Sequence, residues 1–144
     1  MSIKDEIRKA SGQFYAALNR VVNGDASQMI DIWSHSSTVT TMHHPIGGRE
    51  VGWDEVRKSF EQVAKLASGG KFELKNQLIQ VAGDVAYELG VEHGQAKLAG
   101  QQANIEYRVT NIYQRETEAW KIIHHHTDVS SERVAILKGL QANE

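Results

Sequence analysis

There is no cysteine among the 144 residues, so neither a disulfide nor thiolate chemistry is available. Proline occurs once, at Pro45, where it holds the preceding His44 in extended backbone. No apolar run is long enough to cross a bilayer. Neither sign of charge dominates: the net charge is −2, with both signs interspersed, which leaves no footprint for a nucleic acid. Repeats, low-complexity stretches and linkers are lacking, and the start, Met-Ser-Ile-Lys-Asp-Glu, has no signal-peptide core. These absences predict a cytoplasmic protein with one domain over residues 1–144. A chain of this size buries roughly 70% of its unfolded surface and needs no staples.

What is present divides into helical and extended halves. Ile3, Ile7, Ala10, Phe14, Leu18 and Val21 recur at spacings of three and four, which predicts a helix over 3–22. Ser2 can cap it and Asn23-Gly24 can stop it. Asp25, with Gln28 three residues on, is placed to cap a short second helix with Met29, Ile32 and Trp33 on its apolar face. Residues 37–43 are rich in β-branched side chains and predict a short strand, broken by His44-Pro45-Ile46-Gly47-Gly48. A third helix is expected over about 53–68. Asp54 and Glu55 favour its N-terminal dipole, Val56, Phe60, Val63 and Leu66 form its stripe, and Gly69-Gly70 ends it.

From residue 71 the period falls to two. Phe72, Leu74 and Leu78 alternate, and Ile79 and Val81 then shift phase, which implies a bulge. Val85, Tyr87, Leu89, Val91 and His93 form one clean face of the next strand; Ile105, Tyr107, Val109, Asn111 and Tyr113 form one face of the strand after it. A last strand spans Trp120-Lys-Ile-Ile-His-His-His-Thr-Asp128, and one or two helical turns can follow, capped by Ser130 or Ser131 with Val134 and Leu137 facing in. Three helices followed by a long antiparallel meander predict an α+β domain, its helices packed on one side of a strongly curved sheet.

The histidine triplet carries the chemistry. Alternation prevents His124, His125 and His126 from pointing one way in a regular strand, so the triplet alone makes no metal site. His124 and His126 can converge with His43 or His44 on a metal, but no acidic partner is fixed by spacing. A three-residue loop at Glu116-Thr117-Glu118 sets Asn111 opposite Ile123 and Val109 opposite His125; a two- or four-residue loop turns His124 and His126 to Asn111's face instead. Glu106 and Arg108, two apart on one face, read as a structural ion pair, or alternatively as an anion site.

This order of elements resembles the nuclear-transport-factor-2-like superfamily with its cystatin-like cone, and within it SnoaL-like domains of the ketosteroid-isomerase-like kind. The stretches that carry the resemblance are Phe14-Tyr-Ala-Ala-Leu-Asn19 with Asn23-Gly24-Asp25, Trp33 followed by Val39, Pro45-Ile-Gly-Gly48 with Val51-Gly-Trp53, Arg108-Val-Thr-Asn-Ile-Tyr113, and Trp120 to Asp128. Ketosteroid isomerases use an aspartate base and an oxyanion hole of tyrosine and protonated aspartate. The resemblance places His44 at the base, Asn111 at the oxyanion aspartate and Tyr15 nearest the tyrosine. The changed residue types argue against steroid isomerisation itself. The resemblance also selects the first register, with His125 lining the pocket and His124, His126 and Arg108 on the opposite face, which many dimers of this fold bury.

The expected site is therefore His44 as base, Asn111 as oxyanion donor or structural tie, and His125 assisting. Tyr15, Trp33, Trp53, Tyr87, Tyr107, Val109 and Ile123 are the expected walls. No cofactor and no metal is implied. The expected partner is a small molecule bearing a carbonyl or carboxylate, turned over by an isomerase, lyase or hydratase, or only bound by a non-catalytic assembly module. A homodimer is expected in either case.

Overall fold

The computed structural model describes residues 1–43 and 48–129. Helix α1 (Ile3–Val21) opens on a reciprocal cap: Asp5 N donates to Ser2 Oγ at 3.1 Å, and Ser2 N donates to Asp5 Oδ2 at 3.2 Å. Helix α2 is one turn, Met29–Ile32, and lacks the cap expected from Asp25, whose Oδ1 accepts from Ser27 N instead. Strand β1 shrinks to Thr40–Met42, and a short strand β2 (Glu50–Val51), unmarked by any sequence pattern, pairs with it. Helix α3 runs Trp53–Leu66. It ends two residues before the expected boundary because Gly69-Gly70 lies inside β3, Ala67–Ala82, rather than stopping the helix. Strands β4 (Val85–Leu98), β5 (Gln101–Arg115) and β6 (Trp120–Val129) complete the chain described. The expected turns after Asp128 lie outside the described residues from Ser130 onward.

The six strands form one sheet in the order β2-β1-β6-β5-β4-β3. All neighbours are antiparallel except β1 and β6, which run parallel. Helices α1 and α3 cover the concave side. Ile7, Phe14, Leu18 and Val21 of α1 and Val56, Phe60 and Val63 of α3 are buried in one cluster with Phe72, Ile79, Ile105, Tyr113 and Ile122 of the sheet. This is the α+β cone that the element order implies.

Strand β3 bends through two register shifts, between Ser68 and Lys71 and between Lys75 and Leu78; the second is the expected bulge placed earlier, before Leu78 rather than after it, so that Leu78 turns outward, with Asn76 at φ 56°. At the first, Asn19 of α1 satisfies both backbone groups of Phe72, donating to its carbonyl and accepting from its N–H. The bends press β3 against two glycines of β4. A Cβ on Gly94 would lie 2.1 Å from the Lys71 carbonyl, and one on Gly90 would lie 2.8 Å from that of Lys75.

Those glycines mark the inner face of β4, which is the reverse of the expected one. Ala86, Glu88, Glu92 and Ala96 are buried, whereas Tyr87 and Leu89 are 40% and 36% exposed on the convex side. The curled sheet leaves little depth beneath its most bent strand. Small and hydrogen-bonded polar residues occupy that side, and the larger apolar ones turn outward.

Candidate active site

The site rests on the pairing of β5 with β6. Arg115 pairs with Trp120, so the connecting loop is four residues long rather than three. By alternation alone that length would turn His124 and His126 inward. A register shift between Ile112 and Tyr113 adds one residue on β6, so that Tyr113 pairs with Ile122 and Ile112 with His124. Ile123 is the extra residue. His125, not Ile123, thus stands directly opposite Asn111, and Val109 pairs with Thr127. Asn111 in turn pairs with Glu88 on β4, and His125 with Thr41 on β1. One row, Glu88, Asn111, His125 and Thr41, crosses the concave face, and all four are buried.

The row is hydrogen-bonded throughout. Glu88 accepts from Gln77 Nε2 at 2.6 Å, from Asn111 Nδ2 at 2.9 Å and from the Tyr113 hydroxyl at 3.0 Å. The second N–H of Asn111 donates to the Tyr15 hydroxyl at 3.1 Å, and Tyr15 donates to Glu92 Oε2 at 2.9 Å. Asn111 Oδ1 lies 2.6 Å from His125 Nδ1. An amide oxygen carries no proton, so Nδ1 is the donor and Nε2 keeps its lone pair. Nε2 is 4.0 Å from Glu92 Oε2, a gap wider than a hydrogen bond. His43 Nε2 lies 3.1 Å from Ser59 Oγ, which itself donates to the Val56 carbonyl.

Above His125 and Glu92 lies a cavity of about 40 Å³, walled by Leu18, Val22, Phe60, Val63, Phe72 and Ile105, with His43 and Tyr107 also on its lining. Among the described residues no lysine or arginine lines it. Burial drives both facing groups to their neutral forms. The Glu92 carboxyl is pushed up to about 8, chiefly by desolvation, partly offset by the Tyr15 hydrogen bond and reinforced by the charge of Glu88. His125 is held well below the usual imidazole range by desolvation, with His43 adding to the effect. The Tyr15 and Tyr113 hydroxyls are raised, first by desolvation and then by the buried glutamates.

The other expected site residues are dispersed. His44 lies outside the described residues. Tyr15 is buried within the network and Tyr107 lines the cavity; Val109 is buried on the same face of β5. Trp33 sits in the core, 5.8 Å from the Phe60 ring. Trp53 stacks on His35 at 4.7 Å and lines a groove between α2 and α3 instead. Tyr87 is on the convex side, and Ile123, as the bulge residue, packs against the core without lining the cavity. Arg108 pairs with Asp128 across the sheet at 2.8 and 2.9 Å, not with Glu106 along its own strand. It is 56% exposed on the convex face, too far outside to serve a ligand in the cavity. Among the described residues no group of three or more His, Cys, Asp or Glu side chains converges as for a metal.

Glu88 and Glu92 are not among the residues the sequence suggests, and His43 enters there only as a possible ligand of a metal with His124 and His126. The glutamates share the phase of Gly90 and Gly94, and that run of small residues was the available signal for a concave face. His43 is in phase with buried Thr41.

The family model for SnoaL-like domains matches residues 7–130. The chain belongs to the SnoaL-like family. No sequence match is found among curated proteins. Solved structures that this SnoaL-like domain resembles include a nuclear-transport-factor-2-like protein from Salmonella enterica serovar Typhimurium. Identity is 19%, over 89% of this chain and 92% of that one, with a TM-score of 0.78. A candidate dehydratase of the NTF2-like family from Streptomyces avermitilis aligns at 21% identity over 88% and 95% of the two chains, with a TM-score of 0.75. A protein with a cystatin-like fold from Caulobacter vibrioides aligns at 17% identity over 96% and 97%, with a TM-score of 0.74. These likenesses establish the cystatin-like cone and leave the reaction to the site.

Proposed function

We propose that this SnoaL-like domain is a cofactor-independent lyase or isomerase acting on a small neutral carbonyl compound, which enters by parting the walls of a cavity that at about 40 Å³ is only water-sized, with His125 as base and Glu92 as acid. The observation that carries it is an imidazole Nε2 and a carboxyl oxygen 4.0 Å apart on one cavity wall, both buried among apolar side chains that favour their neutral forms. Environments that push two titratable groups apart assign them acid and base roles. In an elimination, His125 Nε2 takes the proton α to the carbonyl. The C–H electron pair becomes the new C=C bond, the β-carbon to oxygen bond breaks, and the Glu92 proton leaves with the hydroxyl as water. In an isomerisation the same pair removes a proton at one carbon and returns one at another. Proton return from imidazolium to carboxylate across the gap resets the site.

Roles thus shift from those the sequence suggested. Both N–H groups of Asn111 are engaged by Tyr15 and Glu88, so it positions His125 rather than holding an oxyanion. With no lysine or arginine among the described residues of the lining, a carbonyl suits the cavity better than a carboxylate. The candidate dehydratase among the solved relatives is consistent with this chemistry.

The test is a panel of neutral β-hydroxy ketones and matched β-hydroxy acids, followed by the absorbance of the conjugated product. Turnover of ketones, lowered by about 10²–10⁴ in both His125→Gln and Glu92→Gln, is the expected result. Ketones that bind and raise the melting temperature without turning over would leave a binding module instead. An assembly role is favoured separately by the convex face, where Leu78, Tyr87, Leu89 and Met42 are each more than a third exposed. We propose that this face pairs two copies.

A further inference from the structure

We infer that Glu88 is a positioning residue that fixes the tautomer of His125, acting through the amide of Asn111. Glu88 touches neither the cavity nor His125 and is fully buried. Its carboxylate only accepts, and three donors converge on it. The side of Asn111 that meets Glu88 must therefore be its NH2, since an amide oxygen there would face a carboxylate oxygen with no proton between them. That choice turns Oδ1 toward His125, and Oδ1 in turn demands the proton on Nδ1. The lone pair is left on Nε2, on the side of Glu92. Tyr15, whose own proton goes to Glu92, accepts the other N–H of Asn111 and supports the same orientation, so the carboxylate on β4 acts with it to determine which nitrogen of a β6 imidazole can accept a proton.

The same chain predicts what happens when the charge is removed. In Glu88→Gln, the orientation expected is the one in which Gln77 keeps donating and the oxygen of the new amide stays on its side. Its NH2 then faces Asn111, which must flip to accept. The Asn111 NH2 now points at His125 Nδ1, which becomes the acceptor, and the proton moves to Nε2. Tyr113 has Ser11 as an alternative partner for its hydroxyl, and the Tyr15 hydroxyl must turn from Glu92 to donate to the flipped Asn111 oxygen. A single isosteric change thus reverses the hydrogen-bond direction of the row.

The catalytic consequence rests on His125 being the base; the tautomer does not. The test is two-bond ¹H–¹⁵N correlation of imidazole-labelled protein without ligand, with His125 assigned by its loss in His125→Gln. Wild type is expected to show Nδ1–H, and Glu88→Gln to show Nε2–H. The exchange variant Glu88→Gln/Asn111→Asp, which restores an acceptor-only group beside His125, is expected to return Nδ1–H, and it serves also if the single variant does not fold. Nε2–H in wild type or in the exchange variant, or Nδ1–H retained in folded Glu88→Gln, would overturn the inference. If the tautomer switches while ketone turnover stays unchanged, Glu88 keeps its positioning role and the proposal that His125 is the base fails. If both hold, turnover in Glu88→Gln falls by about 10²-fold or more.

Discussion

Glu92 and His125 leave opposite marks on stability, because each is neutral when folded. The Glu92 carboxyl keeps its proton to about pH 8 in the fold but loses it near 4.5 when unfolded. Between those values the folded state holds an extra proton, and stability falls as pH rises. His125 stays unprotonated in the fold where the unfolded imidazole takes up a proton below about 6.5, so its contribution falls as pH drops. From 4.5 to 6.5 the two cancel, one proton on each side. Above 6.5 only Glu92 acts, and stability should decline by about 1.4 kcal/mol per pH unit until near pH 8. Below 4.5 only the imidazole acts, and stability should decline again. Urea denaturation at closely spaced pH values reads this directly. A plateau with decline on both sides is expected, and Glu92→Gln should abolish the alkaline limb. Constant stability from pH 6.5 to 8 in wild type would show that Glu92 does not carry its proton in the fold.

Elements show why some of this was legible in the sequence and some was not. Helix α1 was readable because its stripe is continuous and its N-terminus carries Ser2; the inner face of β5 was readable because Ile105 to Tyr113 alternate without interruption. Strand β4 misled because hydrophobicity assigns faces only when the buried side has room for large side chains. Here Glu88 and Glu92 find buried partners and Tyr87 and Leu89 do not need them. Strand β6 put His125 inward as expected, by a different route: a longer loop and the bulge at Ile123 each shift the phase by one and cancel. No residue type announces that bulge. The glycine pair is the element-scale feature most open to test. Gly94→Ala would force its Cβ into the Lys71 carbonyl and the Phe72 side chain. Backbone cannot yield as a flexible side chain does, so a loss of about 1–3 kcal/mol or more is expected in chemical denaturation. Alanine at Gly12, with nothing within 4 Å of its Cβ and in the middle of α1, should instead be neutral or stabilising.

On the scale of the whole molecule, the proposed functions fall on opposite sides of the sheet. Alternation that sends Glu88, Asn111, His125 and Thr41 inward sends a second row outward: Leu78 pairs with Leu89, Leu89 with Thr110, Thr110 with His126 and His126 with Met42. The next row adds Tyr87 beside Ile112. Helices α1, α2 and α3 do not cover this convex side, and the Arg108–Asp128 ion pair borders it. A face with an apolar centre and a charged rim matches the composition of protein interfaces, and a second copy offers the same face about a two-fold axis. Sedimentation equilibrium should therefore show a dimer. Leu89→Lys places a charge at the centre of the face, where desolvating it without a partner is costly, and should give a monomer with its cavity chemistry intact. Lys121→Glu, on the same strand as the histidines but bonded to the Asp31 carbonyl at the sheet's opposite end, should leave the dimer unchanged. A wild-type monomer at micromolar concentration, or a Leu89→Lys dimer, would mean that the apolar row serves something other than self-association.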